Sequence, residues 1–375
     1  MSTLAVNAVT DANGGNTATI NSMTPTADSL QGFRNRIING DMRIDQRNAG
    51  ASVTVSTSGV YVLDRWKNRA NGGGAFSVQQ STTAPTGFYN SVVCTVTTVD
   101  SSIAAGDNYY FFQDIEGYNV ADLDFGTANA KTITMSFWVR SSVTGTYSVF
   151  LSNGTTYNRG YVATYTINAA DTWEQKSVTI AGDTTGTWGK TNGGGLSAGF
   201  NLGAGTDYQT TAGSWGSAFV QATSGTTQWI SNSGATFYIT GVQLEVGSVA
   251  TPFERRPYGM ELALCQRYFY MLCNGNAQTI PTGSYYNSTL VAVAVQLPVE
   301  MRTAPTIYQV SGTNYFVIYA NNTGDTFDAF TGLVRASSRC VAIDASGGGV
   351  SGTAGDSGPI ATNNAAARLG FQAEL

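Results

Sequence analysis

The sequence predicts an all-β protein: a β-sandwich over residues 48–255, a short linking helix over 256–273 and a second, smaller β domain over 274–375. Three observations predict it. Charged residues make up only 11% of the 375, against roughly 25% in an average soluble domain, while glycine numbers 44 and aromatics reach 11%. Apolar and polar residues alternate with period two along segment after segment, the signature of half-buried strands. Gly, Asn and Thr clusters such as "SNGTT", "AGDTTG" and "TNGGG" separate those segments at the spacing of sandwich turns.

In "ITMSFWVR" Ile133, Met135, Phe137 and Val139 fall on one face and Thr134, Ser136, Trp138 and Arg140 on the other. "SVVCTVTTV", "YYFFQDIEG", "TYSVFLS" and "WEQKSVTI" alternate in the same way. Two antiparallel sheets packed face to face bury such strands. In "TFYITGVQLEV" the phase switches at Gly241: Phe237 and Ile239 share one phase, Val242, Leu244 and Val246 the other. A β-bulge at Gly241 restores a single buried face.

After Pro252 the period changes. Leu264, Cys265, Tyr268, Phe269 and Leu272 form one apolar stripe on a helix beginning near Tyr258, which the strand formers of "RYFYML" end near Arg267. Beyond it "STLVAVAVQLPV", "NYFVIYA", "RCVAIDA" and "ARLGFQAEL" are strands of the smaller domain. Residues 1–32 are small and polar with brief apolar beats, a segment that orders only by packing on something else.

The chain has no histidine, which excludes Ser-His-Asp triads, Cys-His pairs and imidazole zinc sites. Four scattered cysteines, Cys94, Cys265, Cys273 and Cys340, read as free thiols rather than a disulfide framework or a metal set, and no cofactor is expected. A net charge of −5 without a basic run speaks against nucleic acid. No export signal or membrane span is expected. A local basic excess between Phe33 and Asn71, including Arg34, Arg36, Arg43, Arg47, Arg65, Lys67 and Arg69, reads as solvated surface or inter-subunit pairing.

"NRIINGDMRIDQRNAG", "YVLDRWKN", "QDIEGYNVADLDFGTANAKTITMSFWVRSS" and "ITGVQLEVGSVATPFERRPYGMELALCQRYFY" together strongly resemble the core of tailed-bacteriophage fibre proteins and related prophage tail proteins, over roughly 35–270. The resemblance implies a jelly-roll like that of carbohydrate-binding modules, in a homotrimeric virion fibre. It implies an N-terminal attachment or trimer stem over 1–47 that meets other virion proteins, and a distal tip over 274–375 that meets a host glycan or protein receptor. A tail or capsid decoration fibre with a mainly structural role is the alternative, and a polysaccharide depolymerase a third.

Glycan recognition sets an aromatic ring under a pyranose and polar groups on its hydroxyls. The loop region 183–229 offers Trp188, Tyr208 and Trp215 beside Phe200 and Trp229, although such rings also plug cores and pin loops. In "YYFFQDIEG" Tyr109, Phe111, Gln113 and Ile115 share one face and Tyr110, Phe112, Asp114 and Glu116 the other; one set is core and the other a subunit interface or a ligand platform. The distal domain offers Tyr315, Tyr319, Asn321, Asn322 and Asp325, where "YANNTGDTFDAF" suits ligand hydrogen bonding or Ca²⁺, and equally a plain hairpin turn. Asp122 with Asp124, Asp114 with Glu116, and Asp325 with Asp328 are carboxylate pairs by sequence, but no catalytic motif surrounds them and a non-enzymatic protein is expected. Tyr268, Phe269, Leu272, Arg255 and Arg256 are the expected trimer contacts, with the arginines bridging Glu254 or Glu261 of a sister chain.

Overall fold

The computed structural model describes residues 33–154 and 156–375. Of the stem expected over 1–47, residues 1–32 lie outside that range. Two compact units emerge among the described residues: 33–43 with 52–60 and 66–255 form one, and 44–51, 61–65 and 256–375 the other.

Among the described residues the first unit is built of twelve strands: β1 (Val53–Val55), β2 (Ser58–Tyr61), β3 (Lys67–Asn71), β4 (Ala75–Ser81), β5 (Ser91–Thr98), β6 (Asn108–Glu116), β7 (Ile133–Ser141), β8 (Gly145–Asn153), β9 (Gly160–Ile167), β10 (Glu174–Ile180), β11 (Gly194–Ala204) and β12 (Thr236–Val246). They form two six-stranded sheets, β1-β4-β5-β12-β7-β10 and β2-β3-β6-β11-β8-β9. From β9 onward successive strands alternate between sheets, which is the jelly-roll way of closing a sandwich without adjacent hairpins.

The alternation that marks these strands in sequence also loads the core. Phe111 and Phe200 from one sheet meet Phe137 from the other, and the rings continue through Tyr165, Tyr147, Phe237 and Trp229 to Phe76, with Trp66 stacked 4.5 Å from Phe111 at the far end. Burying rings of this size supplies much of a β-sandwich's stability.

The bulge falls where the sequence places it. Gly241 adopts φ +62°, the β12–β7 register shifts between Thr240 and Gln243, and Phe237, Ile239, Val242 and Leu244 are all buried. The backbone groups freed there are taken up by residues 35–40. Val242 N–H donates to the Gly40 carbonyl at 2.9 Å, the Val242 carbonyl accepts from Asn35 Nδ2 at 3.0 Å, and Leu244 N–H donates to Asn35 Oδ1 at 3.0 Å. Glu254 closes the same network by accepting Arg34 and Asn35 N–H groups. Residues 35–43, assigned to the stem by sequence, thus complete the sandwich, because Ile37, Ile38 and Met42 are buried in it.

The second unit holds helix α1 (Tyr258–Gln266) and strands β13 (Phe269–Asn274), β14 (Thr279–Asn287), β15 (Leu290–Gln296), β16 (Thr306–Val310), β17 (Phe316–Ala320), β18 (Thr323–Phe327), β19 (Gly332–Ala336), β20 (Cys340–Ser346), β21 (Ser357–Thr362) and β22 (Arg368–Gln372). A three-stranded sheet runs β13-β22-β16 and a seven-stranded sheet β18-β17-β21-β14-β15-β20-β19. The helix begins and hands over to a strand as the sequence predicts. Strands β16, β18, β19 and β21 carry little alternation and are found only in the structure. Among the described residues no helix is long and apolar enough to cross a membrane.

Of the expected trimer contacts, Tyr268, Phe269 and Arg256 are corrected, because they are buried within their own chain, the two rings fully. The Arg65 guanidinium lies 3.6 Å over the Tyr268 ring and that of Arg47 3.5 Å over Phe269, and both arginines pair with Glu374. A buried cation needs both a counter-ion and contact surface, and these rings supply the second. Arg47 and Arg65 are therefore neither solvated nor inter-subunit. Arg256 pairs with Glu261 of its own chain at 3.3 Å, and in the first unit Arg255 lies 4.6 Å over the Phe88 ring. Leu272 is half-buried.

Two predictions follow from this packing. A Cβ at Gly241 would stand 2.6 Å from Phe88 Cζ, so Gly241→Ala combines a left-handed residue with a clash. It is expected to cost about 2 kcal/mol or more in denaturant titration, and an unchanged midpoint would refute the bulge. Asp64 is wholly buried, and desolvation outweighs Arg47 and the Gln46 hydrogen bonds to raise its carboxyl to about 6. Between the ordinary carboxylate value near ~4 and about 6 the folded chain keeps a proton that the unfolded chain releases, so stability falls as pH rises through that window, by roughly 1–3 kcal/mol. Melting curves of Asp64→Asn should lack this component; a gap from the parent that is constant with pH would refute it.

Candidate functional site

The outer face of the β2-β3-β6-β11-β8-β9 sheet carries a feature open to a ligand. It is a groove of about 360 Å³ lined by Gly59, Lys67, Arg69, Asn108, Tyr110, Phe112, Tyr157, Tyr208 and Phe219. Strand periodicity builds its floor. On β3 the odd residues Lys67 and Arg69 face outward while Asn68 and Ala70 are buried, and on β6 Asn108, Tyr110 and Phe112 share the outward phase. Pairing then sets two rows across the sheet: Arg69 beside Tyr110 beside Asn201, and Lys67 beside Phe112 beside Gly199 beside Phe150. Gly199 has to be glycine, because a Cβ there would lie 2.5 Å from Phe112 Cβ and 2.6 Å from Phe150 Cζ.

The wall comes from the segment after β11. Phe219 packs edge-on against Tyr110, Phe150, Tyr157 and Tyr208 at 5.5–6.2 Å, so one ring from a loop ties four from the sheet and its hairpins. Backbone hydrogen bonds hold that loop: Gln221 N–H to the Tyr208 carbonyl at 2.8 Å, and Ser148 Oγ–H to the Gln221 carbonyl at 2.8 Å. Tyr208 and Phe219 are half-exposed, whereas Tyr110 and Phe112 are nearly covered. The walls therefore offer ring surface and the floor supports it.

Polar groups are placed with equal care. Arg69 Nε–H donates to Asn108 Oδ1 at 2.8 Å, which fixes the guanidinium plane. Asp114, buried at the groove's end, accepts Tyr157 O–H at 2.9 Å and Ser197 O–H, with Lys67 Nζ 3.6 Å away. Burial, and then the Asp114 charge, hold the Tyr157 phenol well above its ordinary range, so it stays a donor. Behind Tyr110 the side-chain amides of Asn201 and Gln221 are fully buried with no hydrogen-bond partner among the described residues. Such orphaned amides are uncommon in native proteins and mark a place where a water or ligand group belongs.

Of the residues singled out by sequence, the groove takes Tyr208, with Tyr110 and Phe112 from one of the two faces of "YYFFQDIEG". Trp188 and Trp215 lie elsewhere. They form an edge-on cluster with Phe125, and their indole N–H groups donate to the Thr185 and Ala181 carbonyls at 3.0 and 2.7 Å. Trp188 is buried, so the pair pins loops rather than presenting a stacking surface. Phe200 and Trp229 belong to the core.

In the second unit Asn321 and Asn322 have φ of 50° and 60° and form the two-residue turn between β17 and β18, the hairpin alternative of the sequence reading. Asp325 is engaged by Tyr285 O–H at 2.7 Å and Ser351 N–H at 2.8 Å. Tyr319 is exposed and Tyr315 half-buried. Among the described residues no cluster of three acidic or thiol side chains suits a metal. The other carboxylate pairs also diverge: Asp122 is exposed and paired with Arg36 at 2.7 Å, Asp124 caps a turn in the left-handed region, and Asp328 accepts Asn314 N–H at 2.9 Å.

No family model and no curated protein matches the chain. Solved structures do. The enzymatically active domain of tailspike protein 4 from bacteriophage CBA120 matches at 14% identity over 57% of this chain, which spans only 22% of that one, with a TM-score of 0.29. The family 11 carbohydrate-binding module from Clostridium thermocellum, in complex with a β-1,3-1,4-mixed-linked tetrasaccharide, matches at 10% identity over 54% of this chain and 100% of that one, with a TM-score of 0.29. The CBM22-2 xylan-binding domain from Paenibacillus barcinonensis matches at 16% identity over 52% and 99%, again with a TM-score of 0.29. The functional reading rests on the groove's own chemistry.

Phe219 was not legible as a site residue, since a lone aromatic in a Gly-rich loop carries no period. Its role is testable. Phe219→Ala should speed hydrogen exchange of residues 206–222 at least tenfold while the β7 and β12 amides keep their protection; equal exchange in both proteins would show the ring is not what holds the wall.

Proposed function

We propose that this protein is a non-catalytic glycan-binding fibre protein of a tailed-phage virion, a homotrimer that adheres to a host-surface saccharide through the groove on its sandwich domain. The observation that carries the glycan reading is the groove itself. It is an open, ring-walled trough with half-exposed Tyr208 and Phe219, fixed guanidinium donors on Arg69, and a rigid sheet as floor. Rings take the apolar face of a pyranose, and the donors fix its hydroxyls. The virion role is supported by the sequence resemblance over 35–270. A trimer suits a shallow site, because three weak contacts on one particle give adhesion that none gives alone.

This reading moves the receptor contact from the distal domain, where Asn321, Asn322 and Asp325 are occupied by turn geometry and internal hydrogen bonds, to the sandwich. A non-catalytic role accords with the groove's lone carboxylate neighbour, Asp114, being buried and triply engaged rather than one of a facing pair.

The full chain should bind purified bacterial surface polysaccharide without releasing reducing ends, and sediment as a trimer. Tyr208→Ala should weaken binding about tenfold with little change in melting temperature. Binding that survives Tyr208→Ala unchanged would place the site elsewhere, and release of reducing ends would make the protein a depolymerase.

A further inference from the structure

Within a chain of net charge −5 and few charges of either sign, two cations, Lys67 and Arg69, fall in one groove whose lining contains no carboxylate. The two are not equivalent. Lys67 stands 3.6 Å from the buried Asp114 carboxylate and largely offsets it. Arg69 has no carboxylate partner among the described residues; its Nε–H donates to Asn108 Oδ1 at 2.8 Å and its guanidinium also bonds the Tyr110 phenol, which together hold the plane still and leave its remaining N–H groups for a ligand. A guanidinium is a planar fork matched to a carboxylate, and it gains most where its plane is already fixed and flanked by rings that exclude water.

We infer that the groove selects acidic saccharides, those whose charge is a sugar carboxylate as in uronic acids, and that Arg69 takes that carboxylate while Tyr208 and Phe219 hold the ring. The inference rests on the glycan reading above and narrows its substrate class. Asn108 acts as a positioning residue, because its side-chain oxygen aims the fork. A neutral sugar can use the rings but leaves the guanidinium without a counter-charge.

The test uses the full chain on immobilised bacterial oligosaccharides, each uronate-bearing glycan paired with its carboxyl-reduced, neutral counterpart. The expected result is binding to acidic members that falls about tenfold on carboxyl reduction and weakens as salt is raised. Arg69→Gln should bring acidic and reduced members to parity, and Arg69→Lys should restore only part of the preference, since charge returns without the fork. Both variants are checked by melting temperature, and if Arg69→Gln does not fold, the parent's response to carboxyl reduction decides alone. Equal binding of acidic and reduced members overturns the acidic class and leaves glycan binding standing. Binding to no glycan at all overturns the proposed function together with this inference.

Discussion

Strand β6 is buried on both faces along its whole length, and the rest of the sandwich is arranged around that constraint. Its odd residues, Tyr109, Phe111, Gln113 and Ile115, enter the core, where Phe111 joins the run of rings between the sheets. Its even residues Tyr110 and Phe112 form a second, smaller cluster on the outside with Phe150 and Phe219. Because successive side chains point to opposite faces, a slip of one residue would exchange the two sets at once. Gln113 guards against this from the core side, since its amide both accepts from Ile38 N–H at 2.9 Å and donates to the Ile38 carbonyl at 2.8 Å. The same pairing that stabilises the core therefore positions the groove's floor, while the loop after β11 supplies its wall.

The bulge in β12 shows how a local irregularity is made safe. A bulge frees backbone groups that cannot stay buried and unbonded. Residues 35–40 run alongside and satisfy them, with Asn35 serving both sides of Val242 and Leu244. Two of the stretches that carry the family resemblance, "NRIING" and "GVQLEV", are thus partners in space, about 200 positions apart in the chain. Gly40 belongs to the same design, for a Cβ there would stand 2.2 Å from the Val242 carbonyl oxygen.

The second unit handles its buried charges differently. Arg47 and Arg65 meet at Glu374, each with an aromatic ring beneath it, while Arg302 donates to the Ala373 and Glu374 carbonyls and Tyr61 O–H to that of Leu375. Charges taken from water need full compensation. Contacts between residues this far apart in sequence order the last strand, β22, and its continuation together with the segments 44–51 and 61–65.

By itself the sequence determined the all-β class, the strands with strict alternation, the bulge at Gly241 and the helix from Tyr258, because each depends on local periodicity or on one residue's backbone freedom. It also set Tyr110 and Phe112 on one face of their strand and Tyr109 and Phe111 on the other, without deciding which face was core. What it left open was which partner met each charge and ring. Arg47, Arg65, Lys67 and Arg69 form one basic stretch in the chain, yet two are buried under Glu374 and two line a groove; Tyr268 and Phe269 look like an exposed stripe and are interior. Trp188 and Tyr208 are alike as loop aromatics until pairing sends one to pin a loop and the other to a wall. Those outcomes were decided only by the tertiary structure, since they depend on strand order and on contacts between residues tens to hundreds of positions apart, for which a local pattern carries no signal.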